Sequence, residues 1–349
     1  MKCILCLIIV VSSVFTQAQD KNDIDNYIQK QISEQKITGL AVGIVKDGKL
    51  ILSKGYGLAN VELRIPVSDT SVFKLASVSK QIIATAIMKL AQEGKLSLTD
   101  TVNKYFTDAP ATWNKITIRH LLNHTSGLER ESPLFDAMEV KPDSLLIKRA
   151  YRDNLIFATG TRWQYCNLGY FMLADIIRRV SGKPFPQYMK EDIFVKNGLN
   201  KTRTTTVTDL VVGRAGGYIN KGGDTIVNAE EYIALRPSGA FISTITDMIK
   251  WEMLMQQNKI LTKENWQKMW TDVVKEDSTK PASPSYGYGW EVSTYLDRQA
   301  VHHGGSLPGF RTIFFRFPSD NTAIIVLANS NHANPTVIAK GLADILYKK

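Results

Sequence analysis

An α+β fold is the class that the sequence predicts: an antiparallel sheet built from both chain ends, flanked by helices, with a mainly helical lobe inserted between them. Three observations predict it. Apolar strand runs lie near the start of the chain, helical spacing dominates its middle, and strand runs return after Tyr286. The 349 residues suffice for a substantial core, and no repeat, low-complexity tract or Pro/Ser-rich linker divides them. One domain over residues 19–349, with the helical insertion at about 97–235, is the simplest organisation.

The opening stretch, MKCILCLIIVVSSVFTQAQD, has Lys2, an apolar run to Phe15 and the small residue Ala18 before polar sequence. That is the layout of a secretory signal peptide over residues 1–18, cleaved near Ala18, which implies export to the periplasm or beyond. An uncleaved anchor has a similar pattern, but the run is short for a membrane span, and none is expected after cleavage. Cys3 and Cys6 are apolar filler within the leader, which leaves Cys166 alone and no internal disulfide to form. Ile24, Tyr27, Ile28 and Ile32 then recur at helical spacing within residues 21–36. GLAVGIVKDGKLILSKGYG follows as two apolar strands around Asp47-Gly48, a dipeptide suited to a tight hairpin. Ile82, Ile83, Ala86, Ile87, Leu90 and Ala91 share one broad face of a helix over 81–94, which Gly94 stops. From about 97 to 200 helical patterns alternate with polar loops, among them RHLLNHTSGL and NLGYFMLADIIRRVSGK. YGYGWEV, VHHGGSLPGFRTIFFRF and TAIIVLANS supply the returning strands, and a last helix follows Pro335.

Apolar residues make up 44% and charged residues 22% of the chain, ordinary for a folded protein, so disorder is not the default. The net charge of +10 comes from scattered rather than clustered lysines, a solvated basic surface suited to anionic cell-envelope polymers. No recognition module accompanies that charge, so nucleic acid is not an expected partner.

Three short motifs carry the chemistry. Ser-x-x-Lys occurs at Ser33-Lys36, Ser71-Lys74 and Ser77-Lys80, but only the last opens a long apolar-faced helix. Helical geometry stacks i and i+3, so Lys80 can reach the Ser77 hydroxyl, and the helix N-terminus favours negative charge developing there. A lysine that loses hydration becomes a neutral amine able to accept the serine proton. Alone, the pattern reads equally as Ser77 capping the helix with Lys80 on the surface. Tyr165-Cys166-Asn167 precedes a helical run from Leu168 to Val180. Tyr165 could share protons with Ser77 and Lys80, and Asn167 could donate its amide to a substrate carbonyl; a core tyrosine and a helix N-cap are the plain alternatives. Its rival, Tyr218-Ile219-Asn220, reads as a strand entering a hairpin turn. In HHGGSLPGF, Gly304 and Gly305 let a strand backbone approach a ligand, His303 offers a donor, and the Ser306 and Ser77 N–H groups can form an oxyanion hole. A glycine-rich bulge with surface histidines is the alternative there. No metal or cofactor is expected: no further ligand falls at zinc spacing beside the histidines.

Ser-x-x-Lys, Tyr-x-Asn and a basic residue-x-Gly, in that order, resemble the layout of the penicillin-recognising serine hydrolases. With VFKLASVSKQ, ITIRHLLNHTSGL, YGYGW and HHGGSLPGF, the chain from about 22 to 347 resembles the beta-lactamase-related family of class C beta-lactamases, D-alanyl-D-alanine carboxypeptidases and esterases. The resemblance implies a beta-lactamase/transpeptidase-like fold with Ser77 as the acylated nucleophile. Lys80 and Tyr165 would move its proton, Asn167, His303, Gly304 and Gly305 would bind substrate, and the backbone of Ser77 and Ser306 would hold the oxyanion.

Two departures bear on substrate. His303, where the family has Lys, is only partly charged at neutral pH, and Gly304 lacks the hydroxyl of a Thr. Both weaken anchoring of a carboxylate. Cys166 stands where Ser or Ala is usual, and its side chain is expected to pack inward. RHLLNHTSGL holds His120, His124 and Ser126 close together, but a Ser-His pair needs a third orienting group that the stretch lacks, so it reads as a loop beside the site. No Gly-x-Ser-x-Gly elbow occurs. The expected activity is acyl transfer from small esters or D-amino-acid, cell-wall-type peptides. A class C-like beta-lactamase acting on lactams, and a catalytically weak envelope peptide sensor, are the alternatives. Loops such as 128–145 and 210–235 would shape the cleft.

Overall fold

The computed structural model describes residues 22–206, 208–222, 225–232, 237–239 and 241–348; the expected signal peptide and cleavage point lie outside them. Helix α1 spans residues 22–35. Strands β1 (Gly39–Lys46) and β2 (Lys49–Asn60) form the expected hairpin, with Asp47 (φ 50°) and Gly48 (φ 74°) both left-handed, as a two-residue turn of this twist requires. A short β3 (Ile65–Pro66) edges it. β4 (Phe73–Lys74), β5 (Arg203–Thr204) and β8 (Phe241–Ser243) make a small three-stranded sheet, and β6 (Tyr218–Asn220) pairs with β7 (Ile226–Asn228) as the sequence predicts. The chain then returns through β9 (Val274–Lys275), β10 (Ser285–Tyr286), β11 (Glu291–Tyr295), β12 (Arg298–Leu307), β13 (Phe310–Phe317) and β14 (Thr322–Ala328).

The large sheet runs in the order β3-β2-β1-β14-β13-β12-β11-β10-β9, and every pairing in it is antiparallel. Its central join, β1 with β14, unites the two ends of the chain. Both faces are buried, and the period of two decides which residue goes where. Leu40, Val42 and Ile44 of β1, with Ile324, Val326 and Ala328 of β14, pack beneath α1 and α9 (Pro335–Leu346). Ala41, Val45, Ala323, Ile325 and Leu327 face the larger core on the other side.

That core belongs to α2 (Ser79–Gln92), α3 (Ile118–Leu122), α4 (Asp143–Ala150), α5 (Asn167–Ser181), α6 (Phe185–Tyr188), α7 (Ile245–Gln256) and α8 (Lys263–Thr271). Gly94 lies just past α2 at φ 69°, the stop that the sequence predicts. The plain alternative for Asn167, a helix N-cap, does not hold: the N-cap of α5 is Cys166. Cys166 Sγ accepts the Gly169 N–H at 3.3 Å and its thiol donates to the Glu129 carbonyl at 3.2 Å. The helix therefore begins one residue early, which releases the Asn167 amide from capping.

A buried ion pair ties α7 to the sheet. Arg316 of β13 donates Nε to Glu252 Oε2 at 3.0 Å and Nη2 to Oε1 at 3.1 Å, with both side chains almost wholly buried. Removing one partner strands the other charge away from water. Glu252→Ala is expected to cost about 3–5 kcal/mol, read from the urea midpoint, and a loss below about 1 kcal/mol would contradict that reading.

Candidate active site

Ser77 sits on a 3₁₀ turn, Ala76–Val78, that runs directly into α2. Ala76 holds φ 51°, a left-handed conformation that is costly for a residue with a side chain, immediately before the serine. Ala76 and Val78 are buried while Ser77 stays partly exposed on the wall of a cleft of about 840 Å³. Lys80, one turn on, is fully buried, and its Nζ donates to Ser77 Oγ at 3.2 Å. Burial pushes the ammonium down to about 7, against the opposing pull of Glu131, and Arg130 adds to the lowering. Near neutral pH a share of Lys80 is thus the free amine that can take a proton.

Tyr165 completes the group. Lys80 Nζ lies 4.7 Å from the Tyr165 ring centroid and 5.4 Å from that of Tyr170. Burial raises the Tyr165 phenol well above its ordinary range, and a hydrogen bond with Ser77 opposes that shift. The phenol is therefore a proton donor at neutral pH, the complement of the amine. Ser77 and Lys80, neighbours on one helical turn, and Tyr165, far along the chain from both, lie together.

Asn167 is brought to the same cleft, held by a residue that sequence reasoning missed. Its Nδ2 donates to Glu131 Oε1, its backbone N–H donates to the Arg130 carbonyl at 2.8 Å, and its Oδ1 is buried without a hydrogen-bond partner. Burial raises the Glu131 carboxyl, while the Asn167 bond and the charges of Lys80 and Arg130 pull it back. Nothing in the spacing of Glu131 marks it; its only signal was membership of the loop after HTSGL.

His303 differs from the sequence reading. It faces the cleft from β12, yet its Nδ1 donates to its neighbour's carbonyl, Gly304 O, at 2.6 Å, so Nε2 is left to accept the Tyr286 hydroxyl at 2.8 Å. Burial first, and then the charge of Lys80, push the imidazole down to about 3. The ring is neutral rather than partly charged, and both nitrogens are used within the protein, so it offers substrate a shaped wall and no cation. Tyr286, the partner responsible, opens the YGYGW stretch.

Gly304 and Gly305 play unequal parts. A Cβ at Gly305 would lie 2.3 Å from the Leu75 carbonyl oxygen and 2.2 Å from Thr312 Oγ1, whereas one at Gly304 would meet nothing closer than 3.8 Å. Residue 305 is where β12 presses on the turn that carries Ser77, with Thr312 Oγ1 donating to Leu75 O at 2.8 Å. Gly305→Ala is expected to cost about 1–3 kcal/mol in stability, with a fall in turnover as β12 shifts off Ser77. Gly304→Ala should keep the thermal midpoint. Equal midpoints for both variants would refute the distinction. Ser306 follows on the same strand and, like Ser77, lines the cleft, so both backbones border the space where an oxyanion would sit.

A family model described as Beta-lactamase matches residues 24–348. The chain belongs to the beta-lactamase family. Among curated proteins it is similar to Protein flp of Staphylococcus aureus (strain MW2), at 29% identity over 322 residues, covering 89% of this chain and 63% of that one. The chain therefore spans less than two thirds of that relative. Among solved structures it resembles the octameric penicillin-binding protein homologue from Pyrococcus abyssi, with a TM-score of 0.82 and 28% identity, covering 94% of this chain and 77% of that one. It also shares its fold with the D-amino acid amidase from Ochrobactrum anthropi SV3, with a TM-score of 0.79 and 22% identity over 93% and 96% of the two chains. The α+β architecture expected from the sequence is that of this family.

Proposed function

We propose that this member of the beta-lactamase family is an exported serine hydrolase that cleaves small esters, or amides of D-amino-acid type, through an acyl-enzyme on Ser77. The observation that carries the reading is the buried Lys80 amine, 3.2 Å from Ser77 Oγ, with its ammonium pushed down to about 7. Lys80 accepts the hydroxyl proton as Oγ attacks the carbonyl, and the N–H groups of Ser77 and Ser306 hold the oxyanion. The Tyr165 phenol gives its proton to the leaving group, and the ammonium of Lys80 then restores the phenol. Water enters by the reverse of these transfers and releases the acid. The amide of Asn167, oriented by Glu131, lies along the substrate. Export rests on the leader pattern of residues 1–18.

Neutral His303 and side-chain-free Gly304 support esters and amides over lactams, because neither supplies the charge or hydroxyl that would anchor a lactam carboxylate there. The same neutrality favours one second reading, a sensor that holds envelope peptides without turnover. Purified mature protein offered p-nitrophenyl esters, D-amino-acid amides, D-alanyl-D-alanine peptides and nitrocefin separates these. Ester or amide turnover, with a fluorophosphonate adduct mapped to Ser77, is the expected result. Stoichiometric binding without product would replace the hydrolase with the sensor, and nitrocefin as the preferred substrate would replace the esterase/amidase reading with a beta-lactamase.

A further inference from the structure

His124, in the loop after α3, lies outside the proton-transfer group but packs against its Tyr165. Its backbone carbonyl accepts the Gln164 N–H at 3.0 Å and its Nδ1 accepts the Cys166 N–H at 3.2 Å. One residue thus holds the chain on both sides of Tyr165. Its ring centroid is 4.5 Å from that of Tyr165 and 4.5 Å from that of Tyr286, whose hydroxyl meets His303. The imidazole is a wedge between the phenol of the second motif and Tyr286 of β10, the hydrogen-bond partner of His303.

The fold bears two costs at this position. His124 holds φ 63°, left-handed for a residue with a side chain, and that conformation turns both acceptors toward the 164–166 segment. Because Nδ1 accepts, the ring proton is on Nε2, which is buried without a hydrogen-bond partner among the described residues. Burial holds the imidazole well below its ordinary range, with the charges of Lys80 and Arg130 adding to that, so the accepting form persists at neutral pH. A residue chosen only to fill space would incur neither cost.

We infer that His124 is a positioning residue for acyl transfer, setting the Tyr165 hydroxyl against Ser77 by clamping residues 164 and 166. The inference rests on the proposed role of Tyr165. His124→Phe keeps a ring but removes the acceptor; His124→Gln keeps polarity but carries its acceptor one bond too far. His124→Asn places Oδ1 where Nδ1 stood. Acylation by a chromogenic ester is measured for each, with circular dichroism and the thermal midpoint alongside. The Phe and Gln variants are expected to acylate about 10²-fold more slowly, the scale of a misplacement of about 1 Å, with KM nearly unchanged. The Asn variant should recover most of the rate. In a Tyr165→Phe background, His124→Phe should add little, since both act through one hydroxyl.

Wild-type acylation by His124→Phe overturns the inference, as does a loss in Asn equal to that in Phe. Losses that multiply in the double variant also overturn it. Should the Phe variant not fold, the Gln and Asn pair carries the same comparison. Normal acylation by Tyr165→Phe alone would instead remove the assigned role of Tyr165, and this inference with it. A slow Tyr165→Phe beside a normal His124→Phe removes the inference alone.

Discussion

Ser77→Ala is expected to lower kcat/KM on any ester or amide that the protein turns over by about 10⁵–10⁶-fold, the scale seen when a nucleophile of an acyl-transfer site is removed. Fluorophosphonate labelling should disappear with it. Among the described residues, Ser79 and Ser126 are engaged elsewhere. Ser79 is buried with its Oγ accepting the Phe241 N–H, and Ser126 Oγ accepts the Leu128 N–H at 3.2 Å inside its own loop. Ser306 lines the cleft from β12, where the proposal uses its backbone N–H. The loss should therefore be nearly complete, with substrate affinity largely retained. Labelling that survives the change would assign the nucleophile elsewhere and remove the role given to Lys80.

Lys80→Met should lower the acylation rate by about 10³–10⁴-fold while making the protein more stable, because the amine that serves as base is held at the expense of its own hydration. The sign follows from the shift. The folded-state value is near 7 against an ordinary 10.5, so the folded protein binds this proton more weakly than the unfolded chain. Between those two values unfolding takes up a proton, and the stability contributed by this group rises with pH; below about 7 the penalty is present in full. Met removes it. The gain should be about 2 kcal/mol at pH 6 and should fade as pH approaches 10. The loss of a counter-charge for Glu131 trims the gain, since that carboxyl feels the Lys80 charge. In the wild type, acylation should rise with pH through about 7 as the amine is freed, and that limb should vanish from the residual activity of the variant. Thermal midpoints at pH 6 and pH 9, with a pH–rate profile, check both. A variant less stable than wild type at pH 6 would contradict the assignment of a buried amine whose lost hydration outweighs its contacts.

Local patterning made much of the scaffold legible. The turn at Asp47-Gly48, the helix stopped by Gly94 and the returning strands after Tyr286 follow from periods of two and 3.6 and from residues suited to left-handed turns, all properties of short windows. The candidate nucleophile was legible for the same reason: Ser77 and Lys80 are one helical turn apart, and only this Ser-x-x-Lys opens a long apolar-faced helix. Glu131, Tyr286 and His124 carried no such mark as site residues. Each acquires its part only by contact with something distant in the chain: Glu131 with Asn167, Tyr286 with His303, and His124 with the segment around Tyr165. The cap of α5 falls one residue before the Asn167 alternative because a buried thiol, a weak acceptor on its own, takes the Gly169 N–H.

By itself the sequence determined the class of fold, the order of the strands' apolar faces and the short-range Ser77–Lys80 pair, because backbone geometry converts spacing into direction within a turn or a strand. The tertiary structure alone decided how those groups ionise. Burial makes Lys80 a partly neutral amine, keeps the Tyr165 phenol protonated and strips His303 of the charge that its place in the motif suggested. Ionisation follows hydration and the field of surrounding charges, and both are set by chain segments brought together from far apart.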